Sequence, residues 1–540
     1  MRRFGNWLYN TLWANWTRRI ATLLGLAVVG TLVYVLLPPP DEPAGPETCA
    51  TGVVRRGGEC IGVNGTGYDF GTPEIGKVAR AIAEENRKVD GKPHVTIAMM
   101  LPLQPDIPAE RRQLRSEIQG AYLAQYRANR GENVPLIRLV LANPGDGYAQ
   151  QAKVVRQLGA MAKDKRHNLR AVTGFNLSLR TTEKAIGQLT RKHGIPVLAS
   201  RISADGLANP EDENKGVPFP GLARIIPTNS QQAKALASFH GGLDDAETVL
   251  IKDTRPNDIY VESLAEAFGR DEPGPPGPKD QPYRSPGIIE VGTTGNDFEQ
   301  ISLNICESKA RYVYFAGRPV HLRLFALKLA ETSCHGKKYT IVSGSGAAAL
   351  NRYMKDGDWE TLRGGRDAEE PTVTVQYAAP AHPKAWEGAL RAWDKKHDDP
   401  KSRPGYLTDP QRELRELEEL ARKGTAGDIG DVRLEDSRTM LVHDGVRTIA
   451  RAVVLATSQA RGGVPPLERV ASEWPRLESK YRVNGTSGWI CLTNAGNAYN
   501  KPVAVVELDP RTKKVDFVGI GWPENGRAQP DNCIVPSKTE

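Results

Sequence analysis

Residues 95–101 read VTIAMML, 136–142 LIRLVLA, 169–175 LRAVTGF and 195–200 IPVLAS, and the spans between them (116–129, 149–162 and 181–193) carry apolar residues at helical spacing. Nearly continuous apolar strands alternating with amphipathic helices mean a parallel sheet covered on both faces. After a further helix at 230–239 the pattern recurs. TVLIKDT (248–254), a strand at 287–291, RYVYFAG (311–317) and YTIVSGSG (339–346) alternate with helices at 260–268, 297–307 and 320–332. The expected fold class is therefore α/β, with two doubly wound, Rossmann-like lobes.

Working outward, 205–220 and the Pro/Gly-rich 270–287 read as loops, and 409–423 (DPQRELRELEELARK) reads as a solvated helix with charge on every face. A long helix follows at 441–461, then the strands GWICLT (488–493) and PVAVVEL (502–508). Before the first run, Thr48 to Gly67 is a Gly-rich hairpin with Cys49 and Cys60, and Thr72-Pro73-Glu74 supplies a helix start, Thr as cap and Pro at the first helical position. That helix is expected to run to Lys88.

Residues 20–37 (IATLLGLAVVGTLVYVLL) form an uncharged run of 18. As a helix it spans about 27 Å, close to a bilayer's hydrocarbon core. Arg18 and Arg19 precede it and Asp41 and Glu42 follow it, so the expectation is one transmembrane helix with residues 1–19 cytoplasmic and the bulk of the chain outside the cell. The alternative, a cleaved signal peptide, wants a shorter apolar region and a small-x-small site, where Pro38-Pro39-Pro40 stands instead. Residues 38–46 read as a stiff polyproline stalk.

The chain has 540 residues, 39% apolar and 25% charged, with a formal charge of +8 to which four arginines in the first 19 residues contribute. No Lys/Arg block is interleaved with aromatics, which argues against a nucleic-acid partner. There is no GxxxxGK[ST], HExxH or GxSxG, and GSGAAA at 344–349 is a weak match to a dinucleotide loop, so no catalytic residue, metal or cofactor is expected. His443-Asp444 reads as a helix start with Asp444 as its N-terminal charge partner. Six cysteines in an exported domain suggest disulfides; 15 pairings are possible, and proximity gives Cys49 with Cys60, Cys306 with Cys334, and Cys491 with Cys533.

The order of elements, with IAMMLPL, SEIQGAYLAQYRANR, AVTGFNLSLRTT, PVLASRISADGLA, LARIIPTNSQQAKALASF, VYFAGRPVHLRLFALKL and MLVHDGVRTIARAVVLA, resembles the type I periplasmic binding protein family, the bilobed solute receptors that include branched-chain amino acid binding proteins. The resemblance covers roughly residues 92–535. It implies lobe one from 92–224 and 377–480, lobe two from 225–376 and 483–535, a hinge of three crossovers, and a stalk and small Cys-containing extension at 38–91. It also implies a small polar ligand in the interlobe cleft, amino-acid-like or another carboxylate or amide, with an ABC-type permease or an envelope signalling protein as partner.

In such a cleft, loops at strand ends meet helix N-termini that attract an anion. The candidates are Asn176, Ser178 and Thr181 in the first loop, with helix capping as the other reading of Ser178 and Thr181. Ser200 and Ser203 follow in the next loop. Asp253 and Tyr260 come from lobe two, with packing as the alternative for Tyr260. Ser345 stands where many relatives carry an acid facing the ligand's ammonium, which puts an ordinary α-amino acid in doubt. A rival function from the same fold is an envelope protein whose cleft takes no solute and whose surface contacts another protein.

Overall fold

The computed structural model describes residues 15–17, 19–25, 27 and 47–536, apart from 132–133, 242–246, 270–279, 333, 335, 365–369, 398, 423 and 459–462. Residues 49–540 form one compact unit and residues 1–48 another. In the smaller unit residues 16–17, 19–25 and 27 are helical. Most of the expected transmembrane span and the stalk lie outside the described residues; among the described ones no helix is long and apolar enough to cross a membrane.

The larger unit contains two sheets. The first has the order β1-β2-β3-β5-β4-β6-β7-β8, with β1 Thr48–Ala50, β2 Val53–Arg56, β3 Glu59–Asn64, β4 His94–Met100, β5 Leu136–Asn143, β6 Leu169–Thr173, β7 Val197–Ala199 and β8 Leu222–Arg224. From β5 to β8 all pairs are parallel, while the β2–β3 hairpin adds an antiparallel edge through β3 and β5. The second has the order β10-β9-β11-β12-β13-β16-β17, with β9 Thr248–Asp253, β10 Gln281–Tyr283, β11 Tyr312–Ala316, β12 Tyr339–Ser343, β13 Val373–Ala379, β16 Val503–Asp509 and β17 Lys514–Gly521. Here β10 to β13 are parallel, and β16 and β17 return antiparallel. A separate hairpin, β14 Val483–Gly485 and β15 Gly488–Ile490, packs with lobe one.

The parallel parts of the two sheets share one winding, in which the first strand stands second and the chain reverses direction beside it. In β4 every residue after His94 is buried, because helices cover both faces of the sheet. The helices Gly405–Ala421 and Arg438–Ser458 return to the core of lobe one before β16 rejoins lobe two, so the chain passes between lobes three times.

Three expectations change. The apolar string at 287–291 is not a strand; the edge strand is β10, where Pro282 is tolerated, and Ile288 and Ile289 turn to the interlobe cavity instead. The charged helix is Gly405–Ala421 and is not solvated all round, since Leu407, Leu414 and Leu417 at i, i+7 and i+10 bury one stripe in the lobe-one core. Asp444 sits within the Arg438–Ser458 helix, fully buried, and accepts from the amide and hydroxyl of both Thr486 and Ser487, which fixes the β14–β15 turn. All six cysteines pair as proximity suggests, Cys49–Cys60, Cys306–Cys334 and Cys491–Cys533.

Candidate ligand cleft

Every parallel strand of both lobes delivers the loop after its carboxyl end to one cavity of about 400 Å³ between them. Pro102 follows β4, Asp146 β5, Asn176 and Ser178 β6, Arg201 and Ser203 β7, and Ile226 β8. From lobe two come Arg255 after β9, Ile288 after β10, Arg318 after β11, Ser345 after β12 and Pro380 after β13.

The Pro108–Ala128 helix builds much of the lobe-one wall. Pro108 opens it, and Arg111 donates back to the carbonyls of Pro105 (2.9 Å) and Asp106 (3.0 Å), pinning the entering loop. Glu110, Gln113, Leu114 and Glu117, at i, i+3, i+4 and i+7, then face the cavity together. Glu117 is 2% exposed. Its Oε2 accepts from Asn176 (3.2 Å), while its Oε1 lies 3.4 Å from Nε of Arg201 and 3.5 Å from Nε of Arg438. Burial pushes the Glu117 carboxyl up despite those two cations. Burial and the neighbouring Arg438 charge pull the Arg201 guanidinium down to about 10. Both Nε groups are buried without a hydrogen bond, so they are held to Glu117 by charge rather than by a well-aligned donor.

The lobe-two wall is organised by Asp258. It caps the Ile259–Phe268 helix by accepting from Val261 N, accepts from Arg318 Nε (2.8 Å) and Nη2 (2.7 Å), and also pairs with Arg255. Burial lowers the Arg318 pKa, but the charge and hydrogen bonds of Asp258 more than offset that and leave it raised. Arg318 lies 4.8 Å over the Tyr260 ring. The Tyr260 hydroxyl accepts from Gly346 N at 2.8 Å, and burial pushes its pKa up to about 12. Only glycine fits there, because a Cβ at 346 would stand 2.6 Å from that hydroxyl oxygen. Direct contacts tie the walls together: Arg180 to Glu262 (3.0 Å), Tyr353 to Glu110 (3.3 Å), the Ser345 hydroxyl to that of Ser203 (3.5 Å), and Arg352 to Asp436.

Of the residues singled out from sequence, Asn176, Ser178, Ser203, Tyr260 and Ser345 meet in this cavity. Ser178 does not cap its helix: the capping position is Leu179, without a side-chain bond, and the Ser178 carbonyl accepts from Tyr260 N across the lobes (3.2 Å). Thr181, Ser200 and Asp253 stand behind the walls. Thr181 donates to the Gly147 carbonyl (2.5 Å) and Ser200 packs against Gly445. Asp253 accepts from the amides of Arg255 and Ser285 and from the Ser285 hydroxyl (2.6 Å), so its carboxylate ties the loop after β9 to the loop after β10.

The sequence reading passed over Glu117, Arg201, Arg318 and Arg438. A signal was present for Glu117, which interrupts the apolar stripe Leu114, Ala121, Ala124 of a helix that buries that stripe in the core. Arg201 lies between the two serines of a strand-end loop.

No family model matches the chain, and no curated protein sequence matches it. Among solved structures the fold is similar to a possible leucine/isoleucine/valine-binding protein from Rhodopirellula baltica (16% identity, TM-score 0.51, covering 79% of this chain and 96% of that one). It is also similar to the branched-chain amino acid transporter substrate-binding protein of Streptococcus pneumoniae in complex with isoleucine (14%, 0.50, 80% and 100%). A third is an ABC transporter substrate-binding protein of Aeropyrum pernix (13%, 0.50, 82% and 98%). The architecture is thus mixed α/β, with two sheets of mostly parallel strands in the manner of the bilobed periplasmic binding proteins.

Proposed function

We propose that this protein is a receptor for a small polar solute, bound between the lobes, held at the outer face of the cell membrane by its N-terminal segment and serving an ABC-type importer or a sensing partner. The observation that carries the reading is the convergence of all ten parallel strand ends on one cavity. Its volume, about 400 Å³, falls in the range of small-molecule sites. Ser178, Ser203, Tyr260 and Ser345 supply neutral donors and acceptors, and Arg201 and Arg438 supply donors for a carboxylate or amide oxygen. Contact across the lobes gives a ligand the means to couple binding to closure, since groups from both walls meet only when the lobes approach. Three disulfides suit a domain that matures outside the cytoplasm.

The test is a thermal-shift screen of the purified full chain against amino acids, carboxylates, amides, sugars and polyamines. A ligand at 100 times its Kd adds about 2.7 kcal/mol of stability. The expected result is a dose-dependent shift that weakens in Ser178→Ala/Ser203→Ala and in Arg201→Gln. A folded sample that carries no copurified solute and responds to nothing would overturn the receptor reading and favour contact with another envelope protein.

A further inference from the structure

A second cavity, of about 350 Å³, opens on lobe one beyond the cleft, on the same two helices. Glu117 and Leu441 face the cleft, and Ala124 and Arg447 the crevice; six or seven residues separate them, about 10 Å along each axis. The floor is made by small side chains, Ala124 and Ala128 on one helix and Ala450 on the other, which leaves the space open.

Around that floor stand Arg127, Arg447, Arg451 and Arg482, and among the described residues the only acid in the lining is Glu413. Glu413 is already shared, its Oε2 accepting from Arg127 (2.8 Å) and Arg447 (2.7 Å). Arg127 is further paired with Glu416, and Arg482 with Asp409 (3.3 Å). Arg451 has no ion pair or hydrogen bond among the described residues and rests 5.8 Å over the Tyr481 ring. The Arg482 Nε is buried without a partner. Three of the four arginine side chains are held rather than loose: those of Arg127, Arg447 and Arg482 are 26%, 20% and 22% exposed, and Arg482 lies 4.0 Å over Trp489.

Four guanidiniums thus stand against Glu413 in the lining and Glu416 and Asp409 beside it, which leaves an excess of one positive charge around the hollow. Guanidinium forks match tetrahedral oxyanions, whose several oxygens can serve more than one arginine at once, whereas a single carboxylate has two. The volume exceeds that of a bare ion and admits a small organic group as well. We propose that this crevice is a second binding site, separate from the solute cleft, for a phosphate-bearing ligand, either a free phosphate ester or an anionic phospholipid head group.

The experiment measures thermal shift and equilibrium binding of the full chain at fixed ionic strength with inorganic phosphate, glycerol 3-phosphate and short-chain phosphatidylglycerol below its micellar concentration, with short-chain phosphatidylcholine as the control. The expected result is saturable binding that weakens at least about tenfold in Arg447→Gln/Arg451→Gln and is unchanged in Arg201→Gln, a cleft variant. Arg451→Gln alone serves if the double variant does not fold. A response confined to phosphatidylglycerol assigns the site to lipid, and a response to the soluble phosphates assigns it to a free ester. Absence of binding by all three anionic probes, binding equal to that of phosphatidylcholine, or equal binding by wild type and the crevice variants overturns the proposal.

Discussion

In the interlobe cleft Arg318 and Arg255 converge on Asp258, a carboxylate with no solvent exposure, whereas in the crevice Arg127 and Arg447 share Glu413, itself 6% exposed, and Arg451 has no carboxylate partner among the described residues. The same residue type thus serves two ends. Where the guanidinium is deeply buried, it must be neutralised by the protein itself, because an uncompensated buried charge costs several kcal/mol. Where a fifth to a quarter of it is exposed, as in Arg127, Arg447 and Arg482, water screens part of the charge and a guest can reach it.

The largest expected effect follows from that contrast. Asp258→Ala strips two buried guanidiniums of their partner and removes a helix cap, and should cost about 3–5 kcal/mol in chemical denaturation. A loss under 1 kcal/mol would mean that the cleft arginines are as well hydrated as those of the crevice.

Next comes pH. His382, 3% exposed and stacked on Phe517, accepts from Lys384 N through Nδ1, an arrangement that requires the neutral ring. Burial first, then the Lys384 charge, push its pKa down to about 4. The unfolded chain takes up this proton near pH 6.5 and the folded chain only near 4, so the stability it contributes is present above pH 6.5 and is lost as pH falls toward 4. The loss is on the order of 3 kcal/mol, and His382→Gln should flatten that part of a stability-versus-pH curve. An unchanged slope would show that the ring is already charged in the fold.

Gly346→Ala sharpens the comparison on the cleft side, since its Cβ would meet the buried Tyr260 hydroxyl oxygen. The expected cost is about 1–3 kcal/mol together with weakened solute binding, read by denaturation and calorimetry. The smallest effect belongs to the crevice. Arg451→Gln, which removes a guanidinium with no ion pair among the described residues, should change stability by about 1 kcal/mol or less and weaken phosphate binding.

Much of the architecture was legible because the central strands are buried on both faces and so declare themselves as apolar runs, as in VTIAMML. The exceptions are physical ones. The GIIEV string at 287–291 is apolar because Ile288 and Ile289 border a cavity, not because it pairs, and the true edge strand QPY is too short and too polar to stand out. Asn176, Ser178, Ser203, Tyr260 and Ser345 were legible because cleft residues follow strand ends. Thr181, Ser200 and Asp253 sit in the same loops, but their side chains turn inward, and direction within a loop is set by tertiary contacts that spacing does not encode. The cleft arginines were passed over for a related reason: an arginine in a loop or helix reads as surface until its buried partner, Glu117 or Asp258, is placed beside it.

The Pro108–Ala128 and Arg438–Ser458 helices border both cavities, and they are packed against each other along the core of lobe one. A guest in either hollow therefore acts on a shared pair of rods. If occupancy of the crevice alters affinity in the cleft by some factor, occupancy of the cleft must alter affinity in the crevice by the same factor, because the two orders of filling form one closed thermodynamic cycle.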